Sequence, residues 1–451
     1  MPRIRLGVLV PEEKIAQRNL GSPSLLLRFG VGLVVLTGVS AAYTLAMTLH
    51  YHSQYPWGMQ LFWGEDFGWD FLVFRDRFLH FRAPDFWQIP GIPLTYPAAV
   101  GVVFGMLYKF AHPVTIYLSV CAAAVTAWAV WLIRRLIANG IAQAPATVFV
   151  FTIAATCWPL WVLLDTANIE GLVVILTGSG ILALVHRRWW LAAALIGIAG
   201  AMKIFPLALF ALLLSKRRYK EFSGGIVIAL VVTLASLAIL GPSIPEAQRH
   251  INSGLRVVTS ADALALTSPG PDTNHSLYII VRYAVMLSHH RRPHASVPQP
   301  ELDAAMLRPA YFAYLMLGGI AAVAVYVLRL RHLPMLNQIL AITICAVMLP
   351  PLSRDYTLLH LLVPLGLLCG YTASQSAPVR GLAACFVCFA FILTAGTYMD
   401  FSYLLASPVR AAALFALFLL LLTHPFPSAG LDEPDHDFGL PQSRKPNRLQ
   451  I

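Results

Sequence analysis

Residues 197–220 read GIAGAMKIFPLALFALLLSKRRYK, and this stretch decides the class of the protein. Its apolar run is long enough to cross the hydrocarbon core of a bilayer, and it ends in a basic cluster at Lys216 that is typical of the cytoplasmic end of a span. Lys203 stands in the middle of the run, away from either headgroup layer. An ionisable residue at that depth indicates a functional site inside a membrane protein.

Comparable apolar runs recur along nearly the whole chain of 451 residues. Hydrophobic residues make up 58% of it and charged residues 12%, whereas a soluble globular protein carries roughly 25% charge. The composition therefore predicts an all-α polytopic membrane protein and not a set of soluble domains. We expect about twelve spans, near residues 25–48, 95–111, 114–133, 146–164, 170–185, 189–214, 223–241, 309–328, 335–350, 357–373, 379–398 and 408–424.

The chain divides into three parts by polarity. Residues 1–24 predict an uncleaved cytoplasmic N-terminal segment, residues 25–424 the membrane domain, and residues 425–451 a disordered cytoplasmic tail. Two long polar intervals, at about 49–94 and 242–308, interrupt the membrane domain. With the N-terminus inside, both intervals emerge on the outer face.

Basic clusters test this topology. The clusters that follow the sixth and eighth predicted spans lie on the inner side, as the positive-inside rule requires. The arginine pairs at 134–135 and 187–188 land on the outer side instead. The two pairs stay on the outer side unless the segment 189–214 consists of two half-helices broken near Lys203 and Pro206.

The basic balance of the chain does not indicate a nucleic-acid partner. The formal net charge is +11, but Lys and Arg occur in short clusters that helix ends, phospholipid headgroups and anionic substrates explain better. All six cysteines fall inside apolar runs, so we infer neither a disulfide framework nor a zinc site. The histidines at 289, 290 and 294 lack ligands at metal-site spacing, and we interpret them as part of a solvated basic loop.

The first outer interval contains WGEDFGWDFLVFRDRFLHF at residues 63–81. Its phenylalanines at 71, 74, 78 and 81 form an apolar stripe suited to a helix that lies in the membrane interface. Asp66 and Asp70 stand at the start of this helix, where a carboxylate could act as a general base toward an acceptor hydroxyl. Alternatively, either one caps the helix N-terminus.

Further polar residues stand at the ends of spans. Tyr96 comes just before a proline that opens the second predicted span. Asn168, between two spans, either lines a polar cavity or is an ordinary loop residue. Lys203 would pair with an anionic headgroup such as a lipid phosphate, or else snorkel from two half-helices.

The late outer face adds three residues. Arg354 can bind phosphate through its planar guanidinium, or it pairs with the adjacent Asp355. Asn274 either contributes to the site or caps the short segment that follows it. That segment, near residues 276–287, contains Arg282 and is too short for a span, so we interpret it as an interfacial helix.

In this order the pieces resemble the bacterial GT-C glycosyltransferases related to the polyprenyl-phosphate-mannose-dependent mannosyltransferases that build phosphatidylinositol mannosides. The resemblance covers residues from about 65 to 365. It is carried by the following elements: Asp70-Phe71, Tyr96-Pro97, the turn Ala167-Asn168-Ile169-Glu170, the series Gly197, Gly200, Lys203 and Pro206, the cluster at Lys216, Asn274-x-Ser276-Leu277, and Pro351-x-Ser353. The family's Gly-Gln before Asn168 is absent, and Ser353-Arg354-Asp355-Tyr356 replaces its Ser-Trp followed by His.

The resemblance implies a GT-C-like fold and an inverting, metal-independent transfer of a hexosyl or pentosyl unit. The donor would be a polyprenyl-phosphate sugar, used as a substrate with no separate cofactor, and the acceptor a lipid or glycan. Asp70 would be the general base, with Asp66 in reserve. Lys203 and Arg354 would hold the leaving phosphate, with Tyr96, Asn168, Asn274 and Asp355 around the donor.

The same resemblance implies a place in the cytoplasmic membrane of a bacterial cell, with the site on the periplasmic or exterior face. Two other classes of membrane protein compete with this interpretation. A transporter or flippase of lipid-linked glycans would also use an intramembrane lysine, although the sequence has no internal repeat. A glycan polymerase or ligase would instead use arginines and histidines of a large outer loop.

Overall fold

In a computed structural model, the regular elements of the described residues are all helices. The structure describes residues 21–51, 67–81, 83, 86–89, 94–259, 274–288, 300–375, 377, 379–394 and 406–427. The α-helices are α1 (Gly21–Tyr51), α2 (Trp69–Leu72), α3 (Arg75–Leu79), α4 (Ala98–Leu107), α5 (Pro113–Ala138), α6 (Gln143–Thr156), α7 (Trp158–Thr166), α8 (Glu170–Val185), α9 (Trp189–Met202), α10 (Phe210–Ser215), α11 (Tyr219–Leu240), α12 (Ile244–Val258), α13 (Tyr278–Ser288), α14 (Pro300–Leu328), α15 (Met335–Met348), α16 (Leu362–Ser374), α17 (Leu382–Leu393) and α18 (Ala406–Thr423). Short 3-10 helices cover Phe205–Leu209, Leu330–His332 and Asp355–Leu361.

Several of these helices can cross a bilayer by length and composition. Within the described residues five helices pass this test, and the pair α6 and α7, bent by 55° at residue 157, makes up to six. Shorter apolar helices of 10–17 residues accompany them. The described part of the chain thus has the helical architecture of a polytopic membrane protein, whereas the predicted number of twelve spans is not confirmed.

The second predicted span, 95–111, is wrong as a crossing. Its place is taken by α4, whose ten residues extend ~15 Å, half the thickness of the hydrocarbon core. Both ends of α4 contact the same α2–α3 segment: the Tyr96 ring lies 5.8 Å from that of Phe74, and the Tyr108 hydroxyl donates to the Phe71 carbonyl at 2.6 Å. The chain therefore enters and leaves α4 at one end of the bundle.

The sixth predicted span, 189–214, is two half-helices. Helix α9 ends at Met202, Lys203 has extended backbone with φ −148°, and the chain reverses through a 3-10 helix into α10. The hairpin closes at its far end, where the Arg218 guanidinium lies 5.1 Å from the centre of the Trp189 ring. Lys203 is consequently at the tip of a hairpin and not in the middle of a continuous helix.

These two changes place every described arginine pair at one end of the bundle. Helix α8 starts at Glu170 and runs ~24 Å before the pair 187–188, and α9 then returns to Lys203, which binds Glu170. Helix α5 starts beside Asn168 and carries the pair 134–135 near its other end. We call the end with Lys203 the site end and the end with the arginine pairs the basic end.

The aromatic stripe of the first interval faces protein. Two short helices, α2 and α3, replace the predicted single helix, and Phe71, Phe74 and Phe78 are buried. The Phe104 ring of α4 lies 5.0 Å from Phe71 in an edge-to-face arrangement and 5.5 Å from Phe78. This packing, and not a lipid surface, fixes the helix that carries Asp70.

The segment near residues 276–287 is a helix, as predicted, and becomes α13. Its Arg282 is only 2% exposed, so this arginine is buried against protein and does not face the interface. Other predictions fall outside the described residues: Asp66, the histidines from 289 to 294, the first twenty residues, and the tail from residue 428.

Candidate active site

Asp70 is positioned by the turn that starts α2. Gly68 adopts φ 74°, a left-handed conformation, and its amide donates to the Asp165 carbonyl at 2.7 Å. Asp70 lies in the first helical turn, but it makes no capping bond. Its Oδ2 instead accepts a hydrogen bond of 2.7 Å from the Asn168 side-chain amide. The capping alternative for Asp70 is therefore wrong, since the carboxylate contacts a residue from another part of the chain.

Asn168 is fully buried at the junction of α7 and α8. The junction is tight because Ala167 before it adopts φ 49°. The Asn168 Oδ1 atom accepts from the Glu170 amide at 2.9 Å, and its backbone carbonyl accepts from the Tyr117 hydroxyl. With both ends of the amide bound, its NH2 group is held toward Asp70. Asn168 is thus part of a polar site and not an ordinary loop residue.

Tyr96 completes this cluster. The Asn168 Nδ2 atom lies 3.2 Å from the Tyr96 hydroxyl oxygen, which accepts this second bond. Burial, and then the negative charge of Asp70, raise the pKa of Tyr96 well above its ordinary value of 10. The hydroxyl therefore keeps its proton at neutral pH and remains available as a donor.

Lys203 has an internal partner. Its ammonium group forms a salt bridge with Glu170, whose side chain is fully buried, whereas the lysine side chain is 19% exposed. The other Glu170 oxygen, Oε1, is 2.6 Å from the Nε2 atom of His360, and His360 Nδ1 is 2.8 Å from the Thr177 hydroxyl. The interpretation of Lys203 as a snorkelling residue is wrong, because its ammonium group points into the protein.

The segment 354–356 lies next to Tyr96 and Lys203. The Lys203 ammonium lies 5.6 Å from the centre of the Tyr96 ring and 5.4 Å from that of Tyr356. Arg354 and Tyr356 are close enough that their charges influence the pKa of Tyr96, Tyr356 in the same direction as Asp70 and Arg354 in the opposite one. Two cationic side chains, Lys203 and Arg354, thus lie near the Asp70 carboxylate.

Asp355 points away from this group, and protein side chains bind both of its oxygens. Arg410 donates to Oδ1 at 2.7 Å, His275 contacts the same oxygen, and the Trp158 indole donates to Oδ2 at 2.7 Å. Burial lowers the pKa of His275, which is therefore neutral at pH 7 even though Asp355 acts in the opposite direction. The Asp355 carboxylate, which the sequence offered as an alternative partner for Arg354, is thus bound by side chains from other parts of the chain.

Asn274 joins the loop before α13 to the loop after α15. Its Nδ2 donates to the Pro351 carbonyl at 2.8 Å, and its Oδ1 accepts from the amides of Ser276 and Ser353 at 3.1 and 3.0 Å. The residue is 2% exposed. The turn at Ser276 fits the capping alternative, and the bonds to the other loop show that Asn274 fixes the segment leading to Arg354.

A largely apolar cavity of about 310 Å³ adjoins the Glu170 cluster. Gly171 and His360 line it beside the cluster, and Trp131 and Leu182 line it toward the basic end. Its remaining walls come from α5, α7 and α8 and from Leu359, Leu362 and Val363. From Gly171 to Leu182 the cavity follows α8 for ~16 Å.

Two residues of this region were not predicted from the sequence. His360 and Arg410 both interrupt apolar runs, and the rule that identified Lys203 as an intramembrane ionisable residue applies to them as well. Among the described residues, no group of three or more His, Cys, Asp or Glu side chains could hold a metal ion. All six cysteines are free.

Comparison with protein families gave a match. The model of glycosyltransferase family 87 matches residues 94–352, which is more than half of the chain. Comparisons with curated proteins and with solved structures gave no match. The matched range contains Tyr96, Asn168, Lys203 and Asn274, whereas Asp70 and Arg354 lie outside it.

Proposed function

Because the chain belongs to glycosyltransferase family 87, we propose that it transfers a hexosyl or pentosyl unit from a polyprenyl-phosphate donor to a lipid or glycan acceptor. The transfer inverts the anomeric centre and uses no metal ion. One observation carries the proposal: the Asp70 carboxylate is held by a buried amide within the same cluster as two cationic side chains. The set provides a base for the acceptor hydroxyl and positive charge that stabilises the leaving phosphate.

Asp70 activates the acceptor. With Oδ2 bound by Asn168, we assign Oδ1 to the acceptor hydroxyl. The hydroxyl proton moves to Asp70 as its oxygen forms a bond to the anomeric carbon. The bond from that carbon to the donor phosphate breaks, and the electron pair stays on the phosphate. Attack from the face opposite the leaving group inverts the configuration.

Lys203 and Arg354 stabilise the leaving polyprenyl phosphate. Glu170 fixes the position of the Lys203 ammonium, and the aromatic faces of Tyr96 and Tyr356 flank it. In a site that excludes water, fixed cations stabilise developing negative charge more strongly than solvent does. These side chains therefore do the work that a metal ion does in other glycosyltransferases.

The apolar cavity supports a donor with a hydrocarbon tail. It begins beside Glu170 and His360, and its remaining lining is almost entirely apolar. A prenyl chain seated there would bring its phosphate to the Lys203 end of the cavity. A nucleotide sugar has no group that would fill this space.

The charge distribution supports an active site on the outer face of the cytoplasmic membrane. The arginine pairs 134–135 and 187–188 and the cluster at Lys216 lie at the basic end of the bundle. The positive-inside rule assigns that end to the cytoplasm. Asp70 and Lys203, at the site end, then face the periplasm or exterior.

The mannosyl donor is the first to test, given the resemblance described above. Purified protein in liposomes is incubated with a membrane lipid extract and radiolabelled mannose, glucose or arabinose, each on polyprenyl phosphate or on its nucleotide. We expect label in the lipid fraction with a polyprenyl-phosphate donor only. Transfer from a nucleotide sugar alone would overturn the donor assignment, and no transfer from any donor would overturn the function.

A cavity variant provides a matched test of the tail site. Gly178→Leu places a side chain into the cavity beside Val363, whereas Gly319→Leu lies on an open helix face with no atom within 4 Å of the place that its Cβ would occupy. We expect Gly178→Leu to raise the donor KM about tenfold and Gly319→Leu to leave it unchanged. An unchanged KM in Gly178→Leu, with a folded protein, would contradict the tail assignment.

A further inference from the structure

Residues 354–356 have partners on different elements. The Tyr356 ring lies 5.4 Å from the Lys203 ammonium, and Arg354 is near enough to Tyr96 to influence its pKa, whereas side chains from other parts of the chain bind Asp355 between them. The position of two site residues therefore depends on what holds the carboxylate between them.

Three side chains hold that carboxylate. Arg410 and Trp158 each donate at 2.7 Å, and His275 completes the set. The side chains of Asp355 and Arg410 are 7% and 3% exposed, so the ion pair is almost completely buried. Its partners come from α7, from the loop before α13 and from α18, elements distant from one another in sequence.

Arg410 also reaches the end of α17. Its Nη2 atom donates to the Thr394 carbonyl at 2.7 Å. Because Thr394 follows α17 and Arg410 lies in the first turns of α18, the guanidinium joins these two helices to the segment 354–356. Both helices lie beyond the range of the family match, which ends at residue 352.

A buried ion pair is an inefficient source of stability, since an apolar pair of similar volume is often equally good or better. An ion pair and its hydrogen bonds also fix the orientation of the side chains that they join. Resting on the proposed function, we propose that the Asp355–Arg410 pair is a positioning device that holds Arg354 and Tyr356 against the donor phosphate site. The last two helices thereby become part of the active site.

Arg329 provides a natural comparison. It also ties another part of the chain to α18, with Nε and Nη2 donating to the Leu422 carbonyl at 3.1 and 3.0 Å. That contact lies at the basic end of α18, whereas Arg410 lies at the site end. If both arginines only tied α18 to the rest of the bundle, their replacement would have similar consequences, whereas a positioning role for Arg410 predicts different ones.

The test compares three variants with the wild type: Arg354→Ala, the apolar pair Asp355→Leu/Arg410→Met, and the combination of both. The apolar pair keeps the volume and leaves no buried charge, but the Trp158 indole, His275 and the Thr394 carbonyl each lose a hydrogen-bond partner. We therefore expect a folded protein whose melting temperature is moderately lower than that of the wild type. We expect its donor KM to rise about tenfold or more. In the Arg354→Ala background, the same pair should raise the KM by a clearly smaller factor than in the wild-type background, because one of the two residues that it positions is already absent. Arg329→Met should leave the KM unchanged.

Hydrogen–deuterium exchange of residues 350–361 gives a readout that does not depend on catalysis. We expect faster exchange in the apolar pair and unchanged exchange in Arg329→Met. Equal KM factors in both backgrounds, or wild-type KM and exchange in the apolar pair, would overturn the positioning role while leaving the proposed function intact. If the wild type transfers no sugar, the proposed function fails, and the exchange measurement alone decides whether the pair holds this segment.

Discussion

The amide of Asn168 joins three parts of the chain at one point. Its NH2 group binds Asp70 and Tyr96, and its oxygen binds the Glu170 amide. A carboxylate with one oxygen fixed in this way presents the other in a defined direction. The general base is therefore oriented by a residue that never needs to touch the acceptor.

Replacing Asn168 with leucine should show how far the reaction depends on the hydrogen bond to Asp70. Leucine has a similar size but cannot bind Asp70, and a hydrogen bond to a charged group contributes ~1.5–3 kcal/mol. We expect the rate of sugar transfer to fall about 10- to 100-fold, measured with radiolabelled donor at saturation. Asn139→Leu, at the basic end, serves as the control, and an equal loss in that variant would point to general destabilisation instead.

Lys203 and Glu170 should be strongly coupled in stability. In Lys203→Met the fully buried Glu170 loses its salt bridge, and breaking a buried pair destabilises by ~3–5 kcal/mol. In Lys203→Met/Glu170→Met both members of the salt bridge are removed and only His360 loses a hydrogen-bond partner, so we expect part of the stability to return while sugar transfer stays lost. Thermal unfolding in detergent measures the first effect and the radiolabel assay the second. A double variant that transfers sugar normally would remove Lys203 from the site.

A site residue could be predicted from the sequence only where the sequence also predicted that the residue is buried. Lys203 was identified because an ionisable residue within an apolar run indicates a functional site, and the structure places its ammonium 5.6 Å from the centre of the Tyr96 ring. Its salt bridge to Glu170 could not be predicted, because the two residues meet only when α8 and α9 pack together. Arg410 was missed although the same rule applies to it.

Short and broken helices give the site its shape. A window of apolar residues predicts where hydrocarbon surrounds the chain, but it does not show whether the chain crosses or turns back. At α4 ten residues were too few to cross, and at Lys203 the chain reverses beside Pro206. Both features bring polar residues to the site end, and neither changes the hydropathy pattern.

The start of α2 should be sensitive to a single methyl group. Gly68 has φ 74°, and a side chain in this conformation costs ~1–2 kcal/mol even though a Cβ would meet its nearest neighbour, Val114, at 3.6 Å. We expect Gly68→Ala to lower the melting temperature and the transfer rate, since Asp70 lies two residues further on. Gly38→Ala, in the middle of α1 with open space around it, should leave stability equal or increased. Similar melting temperatures for both variants would contradict this role of Gly68.

In the molecule as a whole, the arginine pairs and the cluster at Lys216 lie at one end of the helix bundle. The two changes to the predicted spans cancel, so helix α12 of the second polar interval lies at the site end, where its His250 stacks on Trp87 of the first interval. They move the arginine pairs to the basic end, which removes the conflict with the positive-inside rule. Charge thus distinguishes the two ends of the bundle, whereas the hydropathy pattern did not identify the helices that connect them.

Cysteine labelling in whole cells tests this orientation. In a background without the six native cysteines, Ser253→Cys lies on α12 at the site end and Gln143→Cys at the start of α6 at the basic end, both at exposed positions. A maleimide that cannot cross the membrane should label Ser253→Cys in intact cells and Gln143→Cys only after permeabilisation. The reverse pattern would place the site in the cytoplasm.

Substitution of Asp70 decides whether the cluster is an active site. The measurement is the rate of sugar transfer from polyprenyl-phosphate donor to lipid acceptor by the wild type, Asp70→Asn and Asp76→Asn, the last being an exposed carboxylate in the next helix. Asp70→Asn keeps the size of the side chain but cannot accept the proton, so we expect a rate about 10²- to 10⁴-fold lower with an unchanged donor KM. Asp76→Asn should retain the wild-type rate. Wild-type transfer by a folded Asp70→Asn protein would show that Asp70 is not the base.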